Sequence, residues 1–179
     1  GDGIDQNCNG SDQSSLQLVT EIYVATFERA PAYAGLMYWS NAVETGNFSI
    51  EQVAHSFFDQ PETQAKFPVG SSNTEFITTV FYNTLSRAPA AAGLAYWVDA
   101  LDRGLFRRDE AIMAIINGAK AVTGSIGDRI KLARKTEIGL LFANSEIGNS
   151  NTHENFMNGA KNILSFAASS DYDLEAAEE

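Results

Sequence analysis

The chain has 179 residues, 44% of them hydrophobic, and a formal net charge of −11 from 12 basic and 23 acidic groups. That apolar content excludes wholesale disorder, and the shortage of clustered Lys and Arg excludes general binding to nucleic acid. No apolar run approaches the roughly 20 residues needed to cross a bilayer, so no membrane insertion is expected.

Residues 1–13 are polar and rich in Gly, Asp and Asn. Asp5, Asn7, Asn9 and Gly10 match the opening DxNxNG of a calcium loop, with Asp2 and Asp12 nearby as further oxygen donors. Alternating oxygen side chains in a Gly-punctuated loop can converge on one hard cation, which makes calcium the expected cofactor. The match stops short, because the twelfth position counted from Asp5 is Leu16 rather than a bidentate Glu. A solvated Asx-rich turn therefore stays open as the alternative. The lone Cys8 cannot form an internal disulfide, and with no second Cys and no neighbouring His it lacks the partners that soft-metal binding needs. A start without Met or a signal peptide points to a processed or excised segment.

Ser14 or Ser15 caps a first helix carrying Leu16, Val19, Ile22, Tyr23, Thr26 and Phe27 at helical spacing and ending near Ala30. Pro31 suits the first turn of the next helix, which runs through Leu36, Tyr38, Trp39 and Val43 to a stop at Gly46. Ser49 to Gln52 reads as a capping box opening a third helix through Val53, Phe57 and Phe58, and Pro61 starts a short fragment. Ser72 to Glu75 is a second capping box, whose helix runs to Arg87; Pro89 then opens another that stops at Gly104, and a third covers about 108–120. Ser125 to Asp128 caps a long helix with Ile130, Leu132, Ala133, Ile138, Leu141 and Phe142, and Thr152 caps a last one through Phe156, Ile163 and Phe166. No segment has a period of two. The expected fold is all-α, a tandem repeat of helical corners with about eight helices in one compact body. Its parts are the loop 1–13, repeat 1 over 14–70, repeat 2 over 71–124, C-terminal helices over 125–168 and an acidic tail over 169–179.

The repeat is explicit. Between 27–54 and 85–112, 12 of 28 aligned residues are identical at an offset of 58, in the pattern RAPAxAGLxYWxxAxxxGxF. A duplication of this kind marks units that bury an apolar face against each other. Arg29, Pro31, Gly35, Tyr38 and Trp39 recur as Arg87, Pro89, Gly93, Tyr96 and Trp97. Physically the motif describes a tight helix corner: Pro fixes the turn, Ala and Gly let backbones approach, and Leu, Tyr and Trp fill the space. Each Arg, at the end of a helix, can cover orphan carbonyls and favour the helix dipole. The competing reading makes the paired Tyr and Trp an exposed aromatic platform for a glycan or peptide.

The two RAPxxAGLxYW copies and the later Lys131-Leu132-Ala133-Arg134-Lys135-Thr136-Glu137-Ile138-Gly139 resemble a bacterial helical domain of unknown function over about residues 16–145. That family usually reads LGRxPDxxGLxYW and then NKVEVG, and the resemblance implies attachment to secreted or surface proteins, beside repeats-in-toxin and surface-layer modules. Ala32 and Ala90 stand here where the family usually has Asp. Residues 1–13 also resemble the end of a CDGIDQDCDG metal-binding motif of secreted proteins, with Gly1 at its first Cys. The resemblance brings no activity with it.

Catalytic signals are sparse. His55 and His153 are the only histidines, His153 lacks the second ligand of HExxH because Met157 stands there, and no GxSxG, P-loop or GxGxxG is present. Paired carboxylates assembled in space stay open. Asn9 and Asn47 head formal glycosylation sequons. Charge is uneven: residues 101–135 carry 8 basic and 4 acidic groups between two acidic ends. The expectation is a non-enzymatic, calcium-stabilised structural module of an extracellular or cell-surface protein. It would self-associate into a filament or layer, the acidic ends of one copy approaching the basic band Arg103, Arg107, Arg108, Arg129, Lys131, Arg134 and Lys135 of the next, or bind other surface proteins. The alternative is a carbohydrate- or peptide-binding adhesion module.

Overall fold

A computed structural model describes residues 13–145, 157 and 159–164. Among these residues the fold is all-helical: α1 (Ser15–Phe27), α2 (Tyr33–Glu44), α3 (Ile50–Phe57), α4 (Pro61–Lys66), α5 (Asn73–Leu85), α6 (Ala91–Asp102), α7 (Arg108–Lys120) and α8 (Ile126–Ala143), with 159–164 also helical. Helices α1 and α2 coincide residue for residue with α5 and α6 at the offset of 58. The third elements diverge. Pro61 splits the first copy into α3 and α4, whereas the second copy, with Ala119 at that position, continues as α7.

The caps explain the boundaries. Ser14 and Ser49 each form a reciprocal capping box with the Gln three residues on. Ser72 and Ser125 accept from the backbone N–H groups of Glu75 and Asp128. At the other end the structure shortens two expected helices. α1 stops at Phe27 and α5 at Leu85, because Glu28 (φ 58°) and Ser86 (φ 54°) turn left-handed and send their N–H groups back to Val24 and Tyr82. Pro31 and Pro89 do not occupy the first helical turn, as the motif suggested. Each lies one residue before the N-cap, which is Ala32 or Ala90, with extended backbone and no side-chain hydrogen bond.

α1 is the axis of the molecule. From Leu18 to Phe27 every residue is buried, so α1 is covered on all sides rather than along one stripe. It packs against α2, α3, α4, α5, α7 and α8. Val19, Ile22, Phe57, Phe76, Ile77, Val80, Ile112, Ile116 and Leu132 form one core shared by both copies. A smaller cluster of Ala30, Phe142 and Ala160 joins the corner after α1 to 159–164, where the Ala30 N–H donates to the Ala160 carbonyl at 3.1 Å. Thr152, Phe156 and Phe166 lie outside the described residues, as do the loop 1–12, His153 and the acidic tail. On α8 the buried row is Leu132, Lys135, Thr136, Gly139 and Phe142, leaving the apolar Leu141 exposed.

Candidate functional site: the duplicated corner

Each corner is closed by its arginine. Arg29 Nε and Nη2 donate to Glu62 Oε1 and Oε2 at 2.9 and 2.7 Å, and Nη1 donates to the Ala30 carbonyl at 3.1 Å. Arg87 repeats the arrangement, with Nε and Nη2 on the two oxygens of Asp128 and Nη1 on the Ala88 carbonyl. A planar guanidinium matches a carboxylate with two parallel bonds, which is why Arg and not Lys suits the position. The carboxylate belongs each time to the first turn of a later helix, α4 or α8, where the helix dipole also favours negative charge. The arginines thus clamp a neighbouring helix start in addition to covering a local carbonyl. Arg29 further lies over the rings of Tyr23 (5.3 Å) and Phe27 (5.0 Å), and Arg87 over Phe81 (5.5 Å).

The motif aromatics are half core and half surface. Trp39 and Trp97 are partly buried against the core, while Tyr38 and Tyr96 are 62% and 57% exposed. Each Tyr meets its Trp edge to face, at 4.9 and 5.1 Å, and each Trp meets the ring of Phe48 or Phe106 at 5.7 Å. In the first copy the ladder continues inward through Phe57 to Tyr23 and Phe27. Burial raises the Tyr23 phenol above its ordinary range, against the lowering charge of Arg29. The expected choice between packing residue and platform therefore resolves by residue. The indoles pack, and the phenols face solvent.

The glycines differ between copies. A Cβ on Gly35 would meet Tyr23 Oη at 2.6 Å, whereas one on Gly93 would meet nothing within 4 Å. The residue equivalent to Tyr23 is Phe81, which has no hydroxyl. The later motif has a packing role too: a Cβ on Gly139 would come within 2.9 Å of Thr20 Cγ2, so this glycine lets α8 lie against α1.

Two polar residues hold the helix ends: Asn83, which the sequence pattern missed, and Lys135, which is buried here rather than part of an exposed basic band. Asn83 Nδ2 donates to the Ala25 carbonyl at 2.9 Å, and Lys135 Nζ donates to the carbonyls of Asn83 (2.6 Å) and Tyr82 (3.2 Å). Ala25 and Asn83 are themselves equivalent positions, so α5 caps α1 and α8 caps α5 in relay. Lys135 is 4% exposed, and burial pushes its ammonium down to about 8 against the raising charge of Glu28. The available signal was a polar residue on a buried row: Asn83 follows Ile77 and Val80 at helical spacing.

The other candidates are accounted for within the fold. His55 Nδ1 lies 3.2 Å from Asp109 Oδ2, joining α3 to α7. Burial raises the Asp109 carboxyl, but the hydrogen bonds and charge of Arg107, with His55, outweigh it and hold the group below the usual aspartate range. Lys120 Nζ donates to Glu21 Oε2 (2.8 Å) and Gln13 Oε1 (2.9 Å) in a nearly buried network. Much of the basic band is already engaged. Arg103 pairs with Asp99, Arg107 with Asp109 and Glu110, Arg108 holds Ser71 and Asn73, and Lys135 is buried. Asn47 is exposed and donates to Thr45 Oγ1 at 3.0 Å. The metal candidates Asp2, Asp5, Asn7, Asn9 and Asp12 lie outside the described residues, and among the described residues no three His, Cys, Asp or Glu side chains gather as a metal site would require.

The model of a domain of unknown function, DUF4214, matches the chain twice, over residues 6–67 and 54–123. The chain belongs to this family. The two DUF4214 matches overlap on α3 and α4, the segment that packs the first corner against the second copy. No curated protein and no solved structure matches the chain.

Proposed function

We propose that the chain is a non-enzymatic structural and assembly module of a secreted or cell-surface bacterial protein. What supports this reading is the second corner. Tyr96 and Leu105 are 57% and 58% exposed beside the half-buried Trp97 and Phe106, forming an apolar edge on a frame locked by the Arg87–Asp128 fork. Rigid aromatic groups in solvent carry contact energy at little entropic cost, so this edge is the contact surface for another copy or a neighbouring surface protein. This reading puts the contact on aromatic groups, because Arg103, Arg107 and Arg108 of the basic band already have partners within the chain. The attachment to repeats-in-toxin or surface-layer modules belongs to the same reading, as does calcium held by Asp2, Asp5, Asn7, Asn9 and Asp12 ahead of α1.

Sedimentation equilibrium with calcium present tests assembly: mass should rise with concentration, and Tyr96→Ser with Leu105→Ser should abolish the rise without loss of helical circular dichroism. A chain monomeric throughout the series refutes it. Calcium is checked by calorimetric titration, in which Asp5→Ala with Asn7→Ala should remove the heat.

A further inference from the structure

The first corner carries a different surface from the second. Ala34, Met37, Tyr38, Asn41, Ala42, Asn47 and Phe48 line an open groove of ≈ 570 Å³ along α2 and the turn that follows it. Its aromatic wall is fixed from behind, because Tyr38 stands edge-on to Trp39 and Trp39 is held between Phe48 and Phe57. Asn41 is exposed on this groove, and its side-chain amide takes part in no hydrogen bond among the described residues. Asn47 spends its Nδ2 on Thr45 and keeps its Oδ1. Apart from the phenol, no lining residue is ionisable, in a chain of net charge −11.

We propose that this groove is a binding subsite for a neutral oligosaccharide. A pyranose offers an apolar C–H face for a fixed aromatic ring and hydroxyls that pair with amides as both donors and acceptors. The lining has no charged side chain to hold an anion, and its two amides suit a ligand with hydroxyls better than a purely apolar one. The second copy shows the contrast. At the positions of Met37, Asn41 and Asn47 it carries Ala95, Asp99 and Leu105, and Asp99 is bound to Arg103 at 3.2 Å. Tyr96 keeps its ring there, but the amide pair is gone. The proposal does not rest on self-association, which uses the opposite corner.

The test is calorimetry of the full chain with maltohexaose, cellohexaose and chitohexaose, with tryptophan emission followed in parallel. At least one of the three should bind saturably and shift the emission of Trp39. Tyr38→Ala should weaken it about tenfold. The pair Asn41→Asp and Asn47→Leu, which imports the second copy's lining without touching a buried side chain, should do the same. Tyr96→Ala should leave sugar binding unchanged while weakening assembly. Absence of binding to all three sugars at about 10 mM, or equal loss in Tyr96→Ala and Tyr38→Ala, overturns the proposal. So does self-association that disappears in Tyr38→Ala with no sugar bound, which makes the groove a protein contact.

Discussion

The first corner is packed into the centre of the molecule, while the second lies at its rim. α2 buries Leu36, Ser40 and Ala42; α6 buries Ala100 alone. Behind Trp39 stands the buried Phe57, whereas the equivalent position behind Trp97 is Ile115. Gly35 touches Tyr23, and Gly93 has open space. Twelve identical residues thus occupy environments that differ in burial, so the repeated letters report a shared backbone path rather than a shared contribution to stability.

The largest expected difference concerns how the first helix of each copy is capped. The Ala25 carbonyl is held by an amide, which does not titrate, and the Asn83 carbonyl by the ammonium of Lys135. With its folded value depressed to about 8, Lys135 binds its proton less tightly in the folded chain than in the unfolded one. Its charging cost is present in full below about pH 8 and is relieved as pH rises toward the unfolded value near 10.4. Denaturant titrations should therefore show wild type gaining about 3 kcal/mol over Lys135→Met between about pH 8 and 10.5. Asn83→Ala, measured the same way, should lose stability by a similar amount at every pH. A pH-independent gap between wild type and Lys135→Met would show that the ammonium is not held as described.

The glycine pair sharpens the contrast by sign. Gly35→Ala pushes a methyl against the hydroxyl of Tyr23, whose ring is held by Phe27 and Phe57, and should cost about 1–3 kcal/mol. Gly93→Ala, inside α6 with nothing nearby, should gain about 0.5–1 kcal/mol from the restricted unfolded chain and better helix propensity. Thermal melts of the two single variants decide it, and two changes of the same sign would remove the asymmetry.

The forks should break differently as well. Arg29→Met and Arg87→Met each lose the two-bond fork to a carboxylate and the bond to a local carbonyl, a cost of about 1–3 kcal/mol. Asp128 is 11% exposed and is left without its counter-ion, while Glu62, at 34%, can hydrate. Adding Asp128→Asn should thus recover more stability in Arg87→Met than Glu62→Gln recovers in Arg29→Met. Double-mutant cycles in urea measure both recoveries, and a larger one in the first copy would contradict the burial order.

Much of this architecture was legible in advance. Repeat length, capping serines and the all-helical pattern follow from local rules, because a side chain that caps or breaks a helix acts within four residues. The partners of Arg29 and Arg87 were not legible, since Glu62 and Asp128 lie 33 and 41 residues away and are chosen by packing. Nor was the burial of Lys135, whose role exists only once α8 crosses the end of α5. The solvent side of Tyr38 and Tyr96 was likewise left open, because a Tyr-Trp pair on a helix reads the same whether the phenol points inward or outward.

The smallest effect concerns the absent acids. Ala32 and Ala90 are the N-caps of α2 and α6, with ψ near 144° and 148° and no side-chain hydrogen bond. A cap aspartate accepts from the N–H two or three residues on and faces the positive helix end, so Ala90→Asp, at an exposed site, should stabilise by about 1 kcal/mol. Ala32 packs against the apolar cluster of Ala30, Phe142 and Ala160, and a carboxylate there gives up part of the same gain to desolvation. Ala32→Asp should therefore stabilise less than Ala90→Asp in paired thermal melts. Equal gains would mean that the two corners present their caps to solvent alike, and the division into a central and a peripheral copy would then stop short of the cap.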